Sequence, residues 1–479
     1  MKRLIILILA GGLAGSGLSA EKSLAWPRFR GPNGSGVAED AKPPVEFGPE
    51  KNVKWKVAVP SGLSSPIVAG DRLVITAFED GKLYTIAYNR GDGKEAWRAE
   101  APAKKIEAYQ KAEGSPATST PATDGKRIVS YFGSCGLFCY DLSGKELWKF
   151  EMPTAVSGGD FGSGVSPIIT EGVVVLVRDE RKDSKIIALD AATGSRKWEQ
   201  ARLPATSYAT PVVLNTPNAK QIVAAGHARM VGYDLKTGEE KWFLNGMPAG
   251  CIPSPVVADG TLFFAGGAGG GEDKEFQMPT FDSMLNDLDK DGDGALSKEE
   301  ADKALQGFFD NQDANHDGKI TRDEWDAISK FVSEGKNSAF ALKTGGTGDV
   351  TTSHVLWKKT KGLPWVTSAL LYKGQYVMIK DGGIVTAYNA KTGDQVYQER
   401  VAAAGQYYAS PVAANGHIYF TSLQDGTVTV LKAGSDEPEV EATNPKLGER
   451  TAATPAIADN TLFIRTDKHL YAFAEKTKG

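Results

Sequence analysis

Residues 166–198 read SPIITEGVVVLVRDERKDSKIIALDAATGSRKW, and this stretch indicates the fold of the whole chain. It contains three short apolar runs, Pro167–Thr170, Val173–Val177 and Ile186–Leu189, and ends in a Trp behind a Gly-containing turn. Short runs rich in Val and Ile and separated by turns predict an antiparallel meander of four strands. One such meander cannot bury its own faces, so it needs copies of itself to pack against.

The beginning of this unit recurs along the chain as a Ser/Thr–Pro pair. Copies begin at Ser65, Thr120, Ser166, Thr210, Ser254, Ser410 and Thr454, and Ser368–Ala369 is a degenerate copy. Successive starts are 55, 46, 44, 44, 114, 42 and 44 residues apart, so one interval contains an insertion of about 70 residues. Eight starts with a period near 44 predict an all-β chain, an eight-bladed β-propeller of four-stranded antiparallel blades.

The end of the unit recurs as well, and it predicts how the ring closes. ALDAATGSRKW at 188–198 is matched by GYDLKTGEEKW at 232–242 and by AYNAKTGDQVY at 387–397. The last unit has only three strand-like runs, whereas Val53–Val59 is an additional alternating run with Trp55 in the closing position. We therefore expect this early strand to complete the last blade, which would remove both free sheet edges.

The N-terminal residues have the pattern of an export signal. Lys2 and Arg3 precede the apolar run LIILILA, and small residues continue to Ala20. This pattern predicts a signal peptide over residues 1–20 and a periplasmic or secreted protein. Residues 21–52, rich in Pro and Gly, are predicted to form an extended lead-in, and no later stretch is long and apolar enough to span a bilayer.

The repeated AxDxxTGxxxW-like unit resembles the pyrroloquinoline quinone (PQQ)-like propeller family. That family includes quinoprotein alcohol dehydrogenases and the propeller lipoprotein of outer-membrane protein assembly. The segment WPRFRGPNGSG at residues 26–36 looks like the start of many exported members. The resemblance implies the propeller fold, but it leaves the function open because this fold carries both catalysts and scaffolds.

The insertion in the fifth blade contains two acidic loops of twelve residues, Asp289–Glu300 and Asp313–Glu324. Both have oxygen-bearing side chains at positions 1, 3, 5 and 12 and a Gly at position 6, which is the EF-hand pattern. The pattern predicts two Ca²⁺ sites and a small α-helical EF-hand pair over residues 266–337. The predicted ligands are Asp289, Asp291, Asp293, Ala295, Ser297, Glu300, Asp313, Asn315, Asp317, Lys319, Thr321 and Glu324.

The insertion also contains the helices and the contact that such a pair needs. A single helix over Ala301–Gln312 is predicted to connect the loops, and Leu296 and Ile320 are the positions that join paired loops by a short β-contact. The connection is shorter than in calmodulin-like pairs. We favour structural over sensory calcium, because the insertion holds only two Met and extracellular calcium would keep such sites filled.

No catalytic residue of the quinoprotein subgroup can be carried over. The subgroup's adjacent Cys pair is absent, and Cys135 and Cys139 are either buried thiols or a pair across a turn. The entering loops and the ends of second strands on one propeller face form a candidate basic and aromatic funnel for an anionic or planar ligand, PQQ included. Residues of this kind more often form an ordinary polar rim, which is the other interpretation. The funnel candidates are Arg178, His227, Trp365, Lys380 and Arg465.

These observations favour binding over catalysis, and they leave open whether the protein is an enzyme. The division is a signal peptide at 1–20, a lead-in at 21–52, blades at 53–265, the EF-hand pair at 266–337 and the remaining blades at 338–479. The function favoured is a calcium-binding scaffold for protein or peptide partners in the cell envelope, with a quinoprotein-like dehydrogenase as the alternative and polysaccharide binding as a weaker option. A net charge of −4 argues against nucleic acid, and we expect a monomer.

Overall fold

The computed structural model describes residues 25–217, 219–267, 278–306 and 309–475, so the predicted signal peptide lies outside the described residues. The chain forms eight antiparallel sheets arranged in a ring, which is the predicted eight-bladed β-propeller. In each blade the four strands pair as one antiparallel meander, and in seven blades they do so in chain order from the axis outward. Among the described helices none is long and apolar enough to cross a membrane.

The blades are numbered from the first complete unit. Blade 1 contains strands Ile67–Ala69, Arg72–Glu79, Lys82–Asn89 and Glu95–Ala101. Blade 2 contains strands Ala122–Thr123, Arg127–Phe132, Gly136–Asp141 and Glu146–Glu151. Blade 3 contains strands Ile168–Thr170, Val173–Arg178, Lys185–Asp190 and Arg196–Ala201. Blade 4 contains strands Val212–Asn215, Lys220–Ala225, Arg229–Asp234 and Glu240–Asn245. Blade 5 contains strands Val256–Ala258, Thr261–Gly266, Ser338–Lys343 and Val355–Lys359. Blade 6 contains strands Leu370–Tyr372, Gln375–Lys380, Ile384–Asn389 and Gln395–Arg400. Blade 7 contains strands Val412–Ala414, His417–Thr421, Val428–Lys432 and Val440–Thr443. Blade 8 contains strands Ala456–Ala458, Thr461–Arg465, His469–Phe473 and Val53–Ala58.

The ring closes through the early strand Val53–Ala58, which pairs antiparallel with His469–Phe473 and places Trp55 opposite Ala472. Two blades gain one further short strand. Val37–Ala38 pairs parallel with the first strand of blade 7, and Gly348–Asp349 pairs parallel with the last strand of blade 4. The second addition is made by an eleven-residue connection in blade 5, residues 344–354. This connection stands where blades 3, 4 and 6 have a short Thr–Gly turn, and it is long enough to reach the neighbouring blade.

A circle of hydrogen bonds explains why each unit begins with Ser or Thr. In every blade the backbone N–H of this residue donates to the side-chain hydroxyl of its counterpart in the next blade, at 2.9–3.1 Å. The circle, here called the hydroxyl ring, consists of Ser65, Thr120, Ser166, Thr210, Ser254, Ser368, Ser410 and Thr454. All eight are buried, and Ser368 keeps its place although Ala follows it instead of Pro. The hydroxyl ring encircles the axial channel, the space between the first strands of the eight blades, at the end where the entering loops join these strands; this end is called the upper end.

The closing Trp of most units docks onto the next blade. In five blades its Nε1 donates to a backbone carbonyl of the following blade at 2.9–3.0 Å. The ring of the Trp lies against a Gly of the next blade, which belongs to a Thr–Gly or Ser–Gly turn or, in blade 1, is Gly93. A Cβ on this Gly would come within 2.5–2.7 Å of the Trp ring. Trp242 differs, because blade 5 lacks this turn, and its Nε1 donates to Gln221 instead.

The lead-in runs along the innermost, first strands of several blades. Trp26 and Pro27 accept hydrogen bonds from Val68 and Thr123 in blades 1 and 2. The Asn33 side chain pairs with both backbone groups of Val213 in blade 4, at 2.8 and 2.9 Å. The lead-in therefore ties together blades that are distant in sequence.

The insertion leaves blade 5 and returns to it at one point, since Gly266 lies opposite Ser338 in adjacent strands. Its helices are α1 (Phe281–Leu288), α2 (Lys303–Gln306), α3 (Phe309–Gln312) and α4 (Arg322–Glu334). The helix predicted from Ala301 begins two residues later, because the Asp302 side chain caps it by accepting from Leu305 N at 2.7 Å. Residues 307 and 308, between α2 and α3, lie outside the described residues.

Candidate functional site

The first acidic loop folds around its own carboxylates. The N–H of Gly294, which has the positive φ of +80° that favours Gly, donates to Asp289 at 3.1 Å. The carboxylate oxygens of Asp289, Asp291 and Asp293 lie within 4.8 Å of one another. Glu300 reaches back to the start of the loop and accepts from Asp291 N at 3.3 Å. The loop thus gathers the hard oxygen ligands that Ca²⁺ prefers.

The second acidic loop repeats these contacts. Gly318 N donates to Asp313 at 2.8 Å, and Asp317 N donates to the amide oxygen of Asn315 at 2.8 Å. Glu324 accepts from Asn315 N at 3.2 Å, as Glu300 does from its own third loop residue. The two loops therefore share one geometry, although the second offers an amide oxygen where the first offers a carboxylate.

Hydrogen bonds within each acidic loop fix the position of the Glu at the end of that loop. Ser297 donates to Glu300 from its N–H at 2.8 Å and from its hydroxyl at 2.7 Å, and these bonds lower the pKa of Glu300 to about 2. Thr321 holds Glu324 in the same way and thereby forms the capping box of α4. Both carboxylates are thus fixed by hydrogen bonds from their own loops.

The two loops face each other as a pair, despite their short connection. Leu296 lies opposite Ile320 in a two-stranded antiparallel contact. Both side chains are buried in a small core with Phe281, Phe309 and Trp325. The EF-hand pair therefore has an apolar core of its own.

Three contacts seat the pair on the loops of blades 3 and 4. Arg181 donates to the carbonyl of Ala314, the second residue of the second acidic loop, at 3.1 Å. His227 Nε2 lies 3.4 Å from the Glu334 carboxylate at the end of α4, and burial lowers the His227 pKa against the opposing effect of Glu334. Helix α3 also contacts the turn Gly158–Asp160. The His predicted for the funnel thus lies beneath the EF-hand pair.

Two of the predicted funnel arginines are used within the fold. Arg465 is only 1 % exposed and donates to the Ser64 and Thr76 carbonyls at 3.0 and 2.9 Å, so it clamps blade 8 to blade 1. Burial lowers its pKa to about 10. Arg178 is also buried, where it pairs with Glu180 and donates to the Pro153 carbonyl at 2.6 Å.

The remaining two funnel candidates reach solvent to different extents. Trp365 is 46 % exposed on the loop that enters blade 6. Lys380 is partly exposed at the end of a second strand, and burial, followed by the charge of Arg400, lowers its pKa. The five candidates therefore do not form one open basic funnel.

Sequence reasoning missed a buried carboxyl on the same face. Glu107 is 2 % exposed and accepts from the Ser163 hydroxyl at 2.7 Å, and its other oxygen has no partner among the described residues. Burial raises its pKa to about 7, although Ser163 and Arg178 oppose this effect. A Cβ at Gly133 would lie 2.3 Å from the Glu107 carboxylate, so only Gly leaves it room. Ser163 and Arg178 also line a small cleft, together with Tyr208, between blades 2, 3 and 4.

The loop that carries Glu107, residues 102–121, crosses the upper mouth of the axial channel. On one side, Gln110 Nε2 donates to the Gly159 carbonyl, before blade 3, at 2.7 Å. On the other side, Arg450, before blade 8, donates to the Ala112 carbonyl at 3.0 Å, and Tyr408 pairs with Glu113. The signal for this loop was the first repeat interval, which at 55 residues exceeds the usual 44.

All three cysteines, Cys135, Cys139 and Cys251, are buried free thiols, so the pairing of Cys135 with Cys139 that the sequence left open does not occur. Burial raises the pKa of Cys135 and of Cys139 to about 12. These thiols have the environment of packing residues rather than of nucleophiles.

Solved structures that share this fold include proteins of different function. BamB from Moraxella catarrhalis superposes with a TM-score of 0.54 and 15 % identity, covering 88 % of this chain and 97 % of that one. A europium-containing methanol dehydrogenase superposes with a TM-score of 0.56 and 9 % identity, covering 95 % and 99 %. Sqt1 of Saccharomyces cerevisiae gives 0.52 and 8 %, covering 89 % and 99 %. At these identities the likeness establishes the fold alone.

Two family models match the sequence itself. An EF-hand model matches residues 281–300 and 305–329, which include both acidic loops. No curated protein gives a significant match. A model described as outer membrane protein assembly factor BamB matches residues 85–270 and 331–478, on both sides of the insertion. Because this match extends over more than half of the chain, the protein belongs to that family of propellers.

Proposed function

We propose that the protein is an exported, calcium-binding propeller that acts as a scaffold for a protein or peptide partner in the cell envelope. The observation that carries this proposal is the character of the upper face, defined as the face that bears the loops entering each blade and the EF-hand pair. This face offers exposed apolar side chains, while the chain's own loop covers the mouth of the channel.

Four large hydrophobic side chains are 37–52 % exposed on the loops of this face: Val156, Phe161, Leu203 and Trp365. The loops concerned enter blades 3, 4 and 6, on both sides of the blade that bears the EF-hand pair. Exposed apolar side chains concentrated on one face are typical of protein interaction sites. Aromatic anchors such as Phe161 and Trp365 are also the residues that contribute most to binding energy at interfaces.

The covered mouth favours a scaffold over a quinone enzyme. A planar cofactor entering from above would have to displace the loop 102–121 and its contacts with Gly159, Tyr408 and Arg450. Arg178 and Arg465, the two arginines among the funnel candidates, already bind internal acceptors. A quinoprotein-like dehydrogenase is therefore the less favoured alternative. The experiment below tests it by measuring PQQ binding and dye-linked oxidation.

Calcium has a structural role in this proposal. Each acidic loop presents oxygen ligands around a Gly turn, and the Glu at position 12 is already held by backbone N–H groups. Extracellular calcium binds such modules with a Kd of ~10⁻⁴–10⁻³ M, so both sites would stay filled outside the cytosol. The bound ions would keep the EF-hand pair rigid beside the exposed apolar loops.

The cell envelope is proposed on two grounds. The first is the export pattern over residues 1–20, and the second is family membership, since the family description names outer membrane protein assembly. We expect the protein to be a monomer, because ring closure pairs the edge of His469–Phe473 in blade 8 that would otherwise be free.

The test is capture of partners from an envelope extract by the tagged full chain in millimolar calcium. Phe161→Asp and Trp365→Asp should each lower the recovery of the same captured protein at least tenfold. Leu147→Asp is the matched control, since Leu147 is 44 % exposed but lies on an outer strand away from the upper face. Equal recovery with all three variants would contradict the proposed surface. PQQ binding accompanied by dye-linked oxidation of alcohols or sugars would replace the scaffold with the dehydrogenase.

A further inference from the structure

The lead-in carries a positive charge into the axial channel. Arg30 is 0 % exposed, and one terminal nitrogen, Nη2, donates to the carbonyl of Ala369 at 2.6 Å. Ala369 directly follows Ser368, a member of the hydroxyl ring, so the guanidinium lies next to that ring. A Cβ at residue 36 would lie 3.3 Å from Nη2, and Gly36 thus makes room for the guanidinium.

The other donors of Arg30 are unsatisfied. Its Nε and Nη1 are buried and have no acceptor among the described residues, and no described carboxylate forms an ion pair with it. Burial lowers the Arg30 pKa to about 10, so the side chain still carries its charge at neutral pH. A charged guanidinium shielded from water requires a counter-charge or full hydrogen bonding.

The hydroxyl ring near Arg30 contains donors that have no acceptor among the described residues. Each hydroxyl of the ring accepts from a neighbouring backbone N–H, and none of the eight donates to an acceptor among the described residues. The buried Tyr376 hydroxyl also has no partner in the described part of the chain, and its residue interacts electrostatically with Arg30. Such a concentration of positive charge and O–H and N–H donors is the chemistry of an anion site.

We propose that a small monovalent inorganic anion, such as chloride, binds in the axial channel beside Arg30 and below the hydroxyl ring. The anion would neutralise the buried guanidinium and accept hydrogen bonds from Arg30 and from ring hydroxyls. It would thereby join the lead-in to the first strands of the blades. This site is separate from the acidic loops and from the apolar upper face.

The first test uses the wild-type chain, so it does not depend on a variant that folds. Crystals soaked in sodium bromide should give an anomalous peak at the bromine edge beside the Arg30 guanidinium. Ordered water alone in the channel would overturn the proposal.

The second test measures the melting temperature at constant ionic strength while chloride replaces gluconate. Chloride should raise the melting temperature of the wild-type chain by about 2–5 °C, and Arg30→Met should abolish this rise. Arg465→Met is the matched control: Arg465 is equally buried, but its terminal nitrogens already bind protein acceptors. The control should melt lower and keep the chloride effect. A chloride effect that survives in Arg30→Met would contradict the site.

Discussion

Glu107 is a buried carboxyl whose pKa lies near neutrality. It lies in a loop rather than a strand, and its carboxylate occupies the space left by Gly133. One oxygen accepts from Ser163, while the other has no partner among the described residues. Because burial disfavours the charged form, its pKa rises from an ordinary value of 4.5 to about 7.

The raised pKa of Glu107 predicts a loss of stability as pH rises. Between about pH 4.5 and 7 the folded chain keeps this proton while the unfolded chain loses it, so the free energy of unfolding falls by at most about 3 kcal/mol over this window and levels off above it. Glu107→Gln stays neutral and should lack this part of the fall. Urea denaturation at pH 5 and pH 8 measures the difference.

The control for this measurement is Glu50→Gln, which removes an exposed carboxylate. It should show the pH dependence of the wild-type chain. If Glu107→Gln and the wild-type chain lose equal stability between the two pH values, Glu107 does not hold its proton in the fold.

At the scale of elements, each blade carries its own means of attachment. The Ser or Thr at the start of every blade bonds to the next blade near the axis, and in five blades the closing Trp packs against the next blade's turn Gly farther out. These positions recur every 44 residues or so, and for this reason the repeat predicts the ring as well as the blade. Trp242 shows the limit, because the longer connection in blade 5 removes the turn Gly that this Trp would otherwise meet.

The Trp–Gly contact between blades 2 and 3 can be tested with a pair of glycines. Gly194→Ala places a Cβ 2.7 Å from the Trp148 ring at a φ of +72°, whereas Gly172→Ala has the same φ within a degree and meets nothing within 4 Å. Both should lose about 1 kcal/mol for the backbone. Gly194→Ala should lose a further ~1–3 kcal/mol for the clash. Equal free energies of unfolding for the two variants would show that the contact contributes nothing.

The EF-hand pair is an element with its own core, and calcium removal should affect it before the blades. Without the ions, the carboxylates of Asp289, Asp291 and Asp293 repel one another, so we expect EGTA to lower the temperature at which the insertion melts. Scanning calorimetry with and without EGTA should show this as an earlier transition, while the main transition of the propeller shifts less. Identical thermograms would contradict a stabilising role for calcium.

At the scale of the whole molecule, contacts between neighbouring repeats were predictable and contacts across the ring were not. Eight starts, their period and the position of Trp55 are local patterns, and they predicted the blades and the closing strand. The path of the lead-in, the bridge of the 102–121 loop to Arg450 and the seat of the EF-hand pair on Arg181 are single long-range contacts with no period. The same limit explains Arg178 and Arg465, whose partners could not be read from a repeat.

Calcium stoichiometry tests most directly whether this propeller carries a working EF-hand pair. Isothermal titration of the full chain with calcium should give two ions per chain for the wild type. Glu300→Gln and Glu324→Gln should each lower this to one, because each removes the bidentate ligand of a single loop. A wild-type chain that binds no calcium at millimolar concentration would contradict the proposed calcium sites.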